Sequence, residues 1–252
     1  MTQVTFHGTE KSRRLQKTLY LAALASFAFP MVYLLVRMLS GGRNTAEMGY
    51  HSDADYLLML CQCALGLVTI HLPMLLEKKF RFELPGLLYG GYIVFLYCAI
   101  FLGEVRSFFY LVPHWDVYLH CFSSVMTGFF GMMAVTILNR DRHVTMHLSP
   151  FFLALSAFSF SVMIGALWEV YEYVGDALLG VNMQKFIAAD GTVLVGRAAL
   201  SDTMKDIMVD MAGALLASVT GYFSAKRHDD WFVPVLTEGD DADESAQIRQ
   251  RP

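Results

Sequence analysis

Six mostly apolar runs punctuate the chain, at approximately Leu19–Leu39, Tyr56–Leu76, Gly86–Gly103, Asp116–Leu138, Pro150–Tyr173 and Thr203–Phe223. Each approaches the ~20 residues that a helix needs to cross a bilayer core. The pattern predicts an all-α, polytopic membrane fold of six transmembrane helices. Three polar stretches frame these runs: an N-terminal segment over 1–18, a long connection over 174–201 and a tail over 226–252. The six-helix domain is therefore expected over 19–225.

Composition agrees, since 55% of residues are hydrophobic and only 17% are charged, outside the range of ordinary soluble domains. Lys11, Arg13, Arg14 and Lys17 precede the first run like the n-region of a signal peptide. The run is longer than a usual h-region and is followed by Arg37 without a small-residue cleavage site, so a retained helix is expected. Most lysines and arginines fall in the N-terminal segment, "EKKFR", "NRDR", "AKR" and the tail. These alternate along the chain, and the positive-inside rule then places both termini in the cytoplasm and the protein in the cytoplasmic (inner) membrane. The net charge of −4 is uninformative about partners, and nothing suggests nucleic acid.

The tail carries "EGDDADES" and no periodic apolar face, and is expected to be solvated and disordered. Cys61, Cys63, Cys98 and Cys121 all lie in apolar runs and are expected to be buried. No internal repeat relates the two halves, which weighs against a symmetric transporter. Gly90-Gly91 and the pair Gly128 and Gly131 are expected to mark close helix approach.

Under this topology runs four and six begin, and run five ends, on the outer side. Those three ends hold nearly all the ionisable residues found inside apolar runs. Pro113 suits a first helical turn, and Asp116 and His120, four apart, lie on one face about 6 Å apart along the axis. "GALWEVYEY" sets Glu169 and Glu172 three apart, near the expected end of the fifth helix. "SDTMKDIMVDMAG" repeats aspartate every four residues at Asp202, Asp206 and Asp210, a stripe descending about 12 Å into the membrane.

An acid at mid-helix costs about 2.5–3.5 kcal/mol on insertion scales, so something must neutralise this stripe. Raised carboxylate pKa values, the nearby cations Lys205 and Arg106, or a divalent metal would each serve. Carboxylates with histidine suit Zn²⁺, Mn²⁺ or Fe²⁺, and Mg²⁺ if histidine stands outside the ligand shell. The candidate metal ligands are Asp116, His120, Glu169, Glu172, Asp206 and Asp210. A purely structural reading makes Asp202 an N-cap and Asp116 a dipole-stabilised first-turn acid. It accounts poorly for two glutamates near a helix C-terminus.

Other ionisable residues are expected to play lesser parts. His71 is read as hydrogen-bonded, His143 and His147 as surface residues, and His51, Asp53 and Asp55 as solvated. Glu104 and Arg106 are expected to pair or to reach the interface, while Trp115, Tyr118, Trp168, Tyr171 and Tyr173 form an aromatic belt. Asp190-Gly191 reads as a hairpin turn within the long connection. That connection is either a lid or a simple surface loop, with Gln184 and Lys185 as the residues able to reach a substrate.

An apolar helix opening Asp-x-x-x-His, a helix ending in "LWEVYEY", then "GVNMQ" and "DTMKDIMVDMAGA", resembles the YjdF-like family of uncharacterised polytopic membrane proteins. Asp116, His120, Trp168, Glu169, Glu172, Asp202, Asp206, Asp210 and Gly213 carry the resemblance. The order of an aspartate and histidine helix, a glutamate helix and an aspartate-then-glycine helix is more distantly similar to VanZ-like proteins. This chain reads "RAALSDTMKD" where that family has an arginine-containing segment, so no resistance role is carried over.

The function expected is a metal-assisted hydrolase or group transferase acting on a lipid or lipid-linked envelope substrate at a phosphoester. His120 would be a ligand or general base and His114 a general acid. No G-x-S-x-G nucleophile motif or phosphate-cradling glycine loop is present. The alternatives are a proton- or cation-coupled transporter, or a non-enzymatic interaction or sensory protein.

Overall fold

The computed structural model describes residues 10–39, 53–140, 148–188, 190–227 and 235–236. Six helices in it are long and apolar enough to cross a membrane. The first is α1, Glu10–Leu39, and begins well before the predicted apolar run. The second is broken at Ile70-His71 into α2, Asp53–Thr69, and α3, Leu72–Phe80. Pro73 sits in the first turn of α3, where its missing N–H costs no helical bond. A two-residue strand β1, Phe82–Glu83, follows.

The third span is α4, Gly86–Leu96, continued as a π-helix over Tyr97–Val105. A short helix α5, Phe108–Leu111, leads to α6, Trp115–Arg140. Then come α7, Pro150–Leu179, α8, Arg197–Arg227, and a second strand β2, Val235–Leu236. The strands pair antiparallel, Phe82 with Leu236 and Glu83 with Val235. The rest of the tail, residues 1–9, and His51, His143 and His147 lie outside the described residues, as does the side chain of Asp53.

The spans form two groups. α1 packs on α2 and α4, around a core that includes Tyr20, Phe27, Ile70, Leu88, Ile93 and Leu96. α6, α7 and α8 each pack against the other two. Here small residues let the backbones approach, as expected where lipid removes the usual hydrophobic drive. A Cβ on Gly128 would lie 2.6 Å from that of Ala217 on α8, and one on Gly131 would lie 2.9 Å from the Phe160 ring on α7. Gly91 faces the Met126 sulfur, whereas Gly90 has nothing within 4 Å and marks no close approach.

Several expectations need correction. α7 runs two turns beyond Glu172 and α8 begins a turn before Asp202, because each helix continues through residues that the apolar run excludes. The irregular connection is therefore only 180–196. Asp202 is not an N-cap, and Glu169 and Glu172 are clear of the last turn, where the dipole acts. Pro113 precedes α6 instead of opening it. Cys61 and Cys121 are exposed rather than buried, on faces that meet lipid in a membrane-spanning chain, and Cys63 alone is fully buried.

Candidate functional site

The sharp turn before α6 is made by His114, in the left-handed region at φ +61°, so the helix starts abruptly at Trp115. This places Asp116 in the first turn, where the helix dipole favours an anion, and His120 one turn deeper. α7 is capped by the Ser149 hydroxyl, which accepts from the Phe152 N–H, and brings Glu169 in from a second side. α8 completes the enclosure with Asp206 and Asp210 on its buried face.

His120 is the hub of this arrangement and is only 5% exposed. Its Nδ1 lies 3.2 Å from Asp210 Oδ2, and its Nε2 lies 3.7 Å from both Asp116 Oδ1 and Glu169 Oε1. With Nδ1–H donating to Asp210, Nε2 keeps its lone pair, facing two carboxylates. Asp206 joins from α8, and one ligand atom each from Asp116, His120 and Asp206 lie within 4.8 Å of one another. Among the described residues, four buried side-chain polar atoms make no hydrogen bond, and two of them are Glu169 Oε1 and Asp210 Oδ1. An unsatisfied buried acceptor costs about 1–3 kcal/mol, more when charged, a cost that either a bound cation or a proton on the carboxyl would remove.

Glycines create the room. A Cβ on Gly165 of α7 would meet the Asp210 carboxylate, and one on Gly213 of α8 would meet the Ser124 hydroxyl and lie 3.0 Å from the Cys121 carbonyl.

Two cavities adjoin the cluster from different sides. The smaller, about 150 Å³, is lined by Asp116, His120, Glu172 and Asp210, and continues to a floor of Ser124, Thr127 and Ser161. Those hydroxyls are bonded among themselves and to backbone: Thr127 Oγ1 to Ser161 Oγ at 2.9 Å, and Ser161 Oγ to the Ser124 carbonyl at 2.7 Å. Glu172 accepts from Trp168 Nε1 at 3.0 Å. The larger cavity, about 540 Å³, is a groove between α7 and α8 that touches Glu169, Asp202, Gln184 and Thr203. The two glutamates three apart on α7 thus serve different cavities.

The connection over 180–196 is anchored. Asp176 accepts from the Met183 and Gln184 N–H groups, and Asn182 bonds the Tyr110 hydroxyl and both polar backbone groups of Ile187. Lys185 Nζ lies 2.9 Å from Glu104 Oε1 and above the Phe109 ring. Burial works against its ammonium, but Glu104 and Tyr110 outweigh that and hold its pKa above the ordinary lysine value. Glu104 is therefore matched with Lys185 rather than with Arg106, which is exposed. Gly191, at φ +81°, makes the expected turn, with Asp190 Oδ1 accepting from the Thr192 N–H. His71 bonds the Tyr20 hydroxyl and the Leu67 carbonyl.

A family model described as predicted membrane protein matches residues 18–227, from within the first helix to the end of the last. The chain belongs to the DUF2238 family. This is the family named YjdF-like above, while the VanZ likeness remains one of motif order. No curated protein and no solved structure matches the chain.

Of the sequence candidates, the structure of this DUF2238 chain brings Asp116, His120, Glu169, Asp206 and Asp210 together. Glu172 faces the cluster across the smaller cavity, and Asp202 and Gln184 line the groove. Lys185 is engaged by Glu104, and exposed His114 shapes the turn before α6. Ser124, Thr127 and Ser161 are among the inner-half hydroxyls the sequence offers to a permeation path, whereas Gly165 escaped the sequence reading. A glycine four residues before Glu169 in "IGALWE" was the available signal for it.

Proposed function

We propose that this protein binds a divalent metal through Asp116, His120 Nε2, Asp206 and Glu169, at the outer interface of the cytoplasmic membrane. It acts there as a hydrolase or group transferase on a lipid or lipid-linked envelope substrate, with both termini on the cytoplasmic side. The observation that carries this reading is the convergence of three helices on His120, with the unsatisfied Glu169 Oε1 3.7 Å from its Nε2. A mixed set of carboxylates and one imidazole suits Zn²⁺, Mn²⁺ or Fe²⁺ better than Mg²⁺. When bound, such an ion supplies Lewis-acid polarisation of a scissile oxygen.

In this reading Asp210 is a positioning residue, because its bond to Nδ1 fixes the tautomer and ring orientation that present Nε2. His120 is a ligand, so proton exchange falls to Glu172, the remaining carboxylate on the same cavity wall. His114, exposed at the turn, is the weaker acid candidate.

Elemental mass spectrometry on protein purified in detergent without chelator tests the reading. Near-stoichiometric metal that is lost in both Asp206→Asn and His120→Ala, with each variant still folded, supports it. A metal-free wild type of equal stability refutes it. A cation-coupled carrier is the second reading, favoured by the hydroxyl floor that continues the smaller cavity below His120. Cation-dependent uptake into proteoliposomes would establish it instead.

A further inference from the structure

The groove between α7 and α8 has a chemistry separate from that of the cluster it adjoins. Its walls are largely apolar, among them Val170, Tyr173, Phe186, Leu200 and Ile207. Val170, Tyr173 and Leu200 are also more than half exposed, and in a membrane-spanning chain such faces meet lipid. At about 540 Å³ it falls within the usual range of small-molecule sites.

Its polar lining consists of Glu169, Asp202, Gln184 and Thr203. Gln184 Nε2 already donates to Thr203 Oγ1, and the Gln184 backbone is held by Asp176, so the amide side chain is fixed as part of the wall. The lining has two carboxylates and no cation. Lys185, the nearest cation in sequence, is committed to Glu104, and Lys205, whose charge reaches Asp202, is exposed and stands outside the lining. Such a surface repels a bare anion and favours a group that is positively charged and rich in N–H donors.

We infer that this groove holds an amine-headed phospholipid taken directly from the bilayer, with its ammonium against Asp202 and its acyl chain between α7 and α8. Glu169 connects the groove to the cluster, since its carboxylate lines one and lies 3.7 Å from His120 Nε2 in the other. The phosphoester, a short linker from the ammonium, would lie toward Glu169, where the metal of the proposed function would offset the two negative charges. This inference rests on the proposed function and narrows its substrate class to zwitterionic, amine-headed lipids.

The test is lipid retention. Wild type, Asp202→Asn and Ala166→Trp are reconstituted in nanodiscs of equimolar phosphatidylethanolamine and phosphatidylglycerol, re-extracted, and analysed for bound lipid by native mass spectrometry. Metal content is measured on the same samples. Wild type is expected to enrich phosphatidylethanolamine about tenfold, the scale of one charge-assisted hydrogen bond. Asp202→Asn, nearly isosteric, should reduce the enrichment to about parity, and Ala166→Trp, which fills the groove, should abolish retention. Equal retention of both lipids by wild type, or enrichment that survives Asp202→Asn, overturns the inference. Competition by soluble glycerophosphoethanolamine at equal strength also overturns it, because the site would then recognise a free head group and not a lipid. Metal retained without lipid selectivity defeats the groove alone, whereas selectivity without metal defeats the metal reading and leaves the groove standing.

Discussion

The first three spans and the last three solve the same problem in opposite ways. In the first group Phe27, Ile70 and Ile93 are almost wholly buried and fill the core by bulk. Its buried acid, Glu77, accepts the Leu84 N–H at 2.7 Å across the turn that follows α3. In the second group Gly128 and Gly131 admit Ala217 and the Phe160 ring, while Gly165 and Gly213 leave room for the Asp210 carboxylate and the Ser124 hydroxyl. There Glu169 Oε1 and Asp210 Oδ1 remain without a hydrogen bond. Lipid offers no hydrophobic drive between helices, so both groups rely on packing and polar contacts. Among the described residues, the buried side-chain polar atoms without a hydrogen bond all fall in the second group, which is where a candidate site is best sought.

Several substitutions would break or sharpen that contrast. The largest effect is expected from Lys185→Met, which strands Glu104 in a nearly closed site; breaking a buried pair costs about 3–5 kcal/mol. Thermal melts should show the loss, and Glu104→Gln in the same chain should recover part of it. The pH dependence has a definite sign. Lys185 is held above its ordinary pKa, so its contribution is complete below the unfolded value of about 10.4 and lost as pH rises through the folded value. The variant should lack that alkaline decline.

Phe27→Ala should also cost about 3–5 kcal/mol by opening a cavity in the first group. Metal bound per folded molecule should be unchanged, and its loss would show that the two groups are not independent. Gly128→Ala, which must displace Ala217, should lower stability by about 1–3 kcal/mol. Asp210→Asn should leave the melting temperature nearly unaltered but weaken metal about 10–100-fold in chelator competition, as expected for loss of an orienting carboxylate. Gly90→Ala meets nothing within 4 Å and should be neutral or stabilising by less than about 1 kcal/mol. A large loss there would mean that an unrecognised partner covers this face.

Much of the architecture was legible in hydropathy. All six spans lie where the apolar runs place them, because hydrocarbon thickness dictates the length of an apolar helix. Helix ends were less legible. α7 and α8 continue through polar and charged residues that a hydropathy window discards, which shortens the apparent connection and makes Asp202 look like a cap. The pairing of Glu104 with Lys185 was hidden by a sequence separation of 81, while Arg106 stood nearby in sequence.

The candidate site divides along the same line. Periodicity alone put Asp116 with His120 on one face of a helix, and Asp206 with Asp210 on one face of another, since 3.6 residues per turn bring every fourth residue round. No periodicity within a single helix can say which faces meet. Only the packed helices decided that His120 stands between Asp210 and Glu169, that Glu169 and Glu172 open onto different cavities, and that Lys185 is already taken. The first of those outcomes depends on how closely the backbones approach at Gly165, where Asp210 sits. Close approach is a property of two surfaces at once, whereas the sequence of a helix describes one.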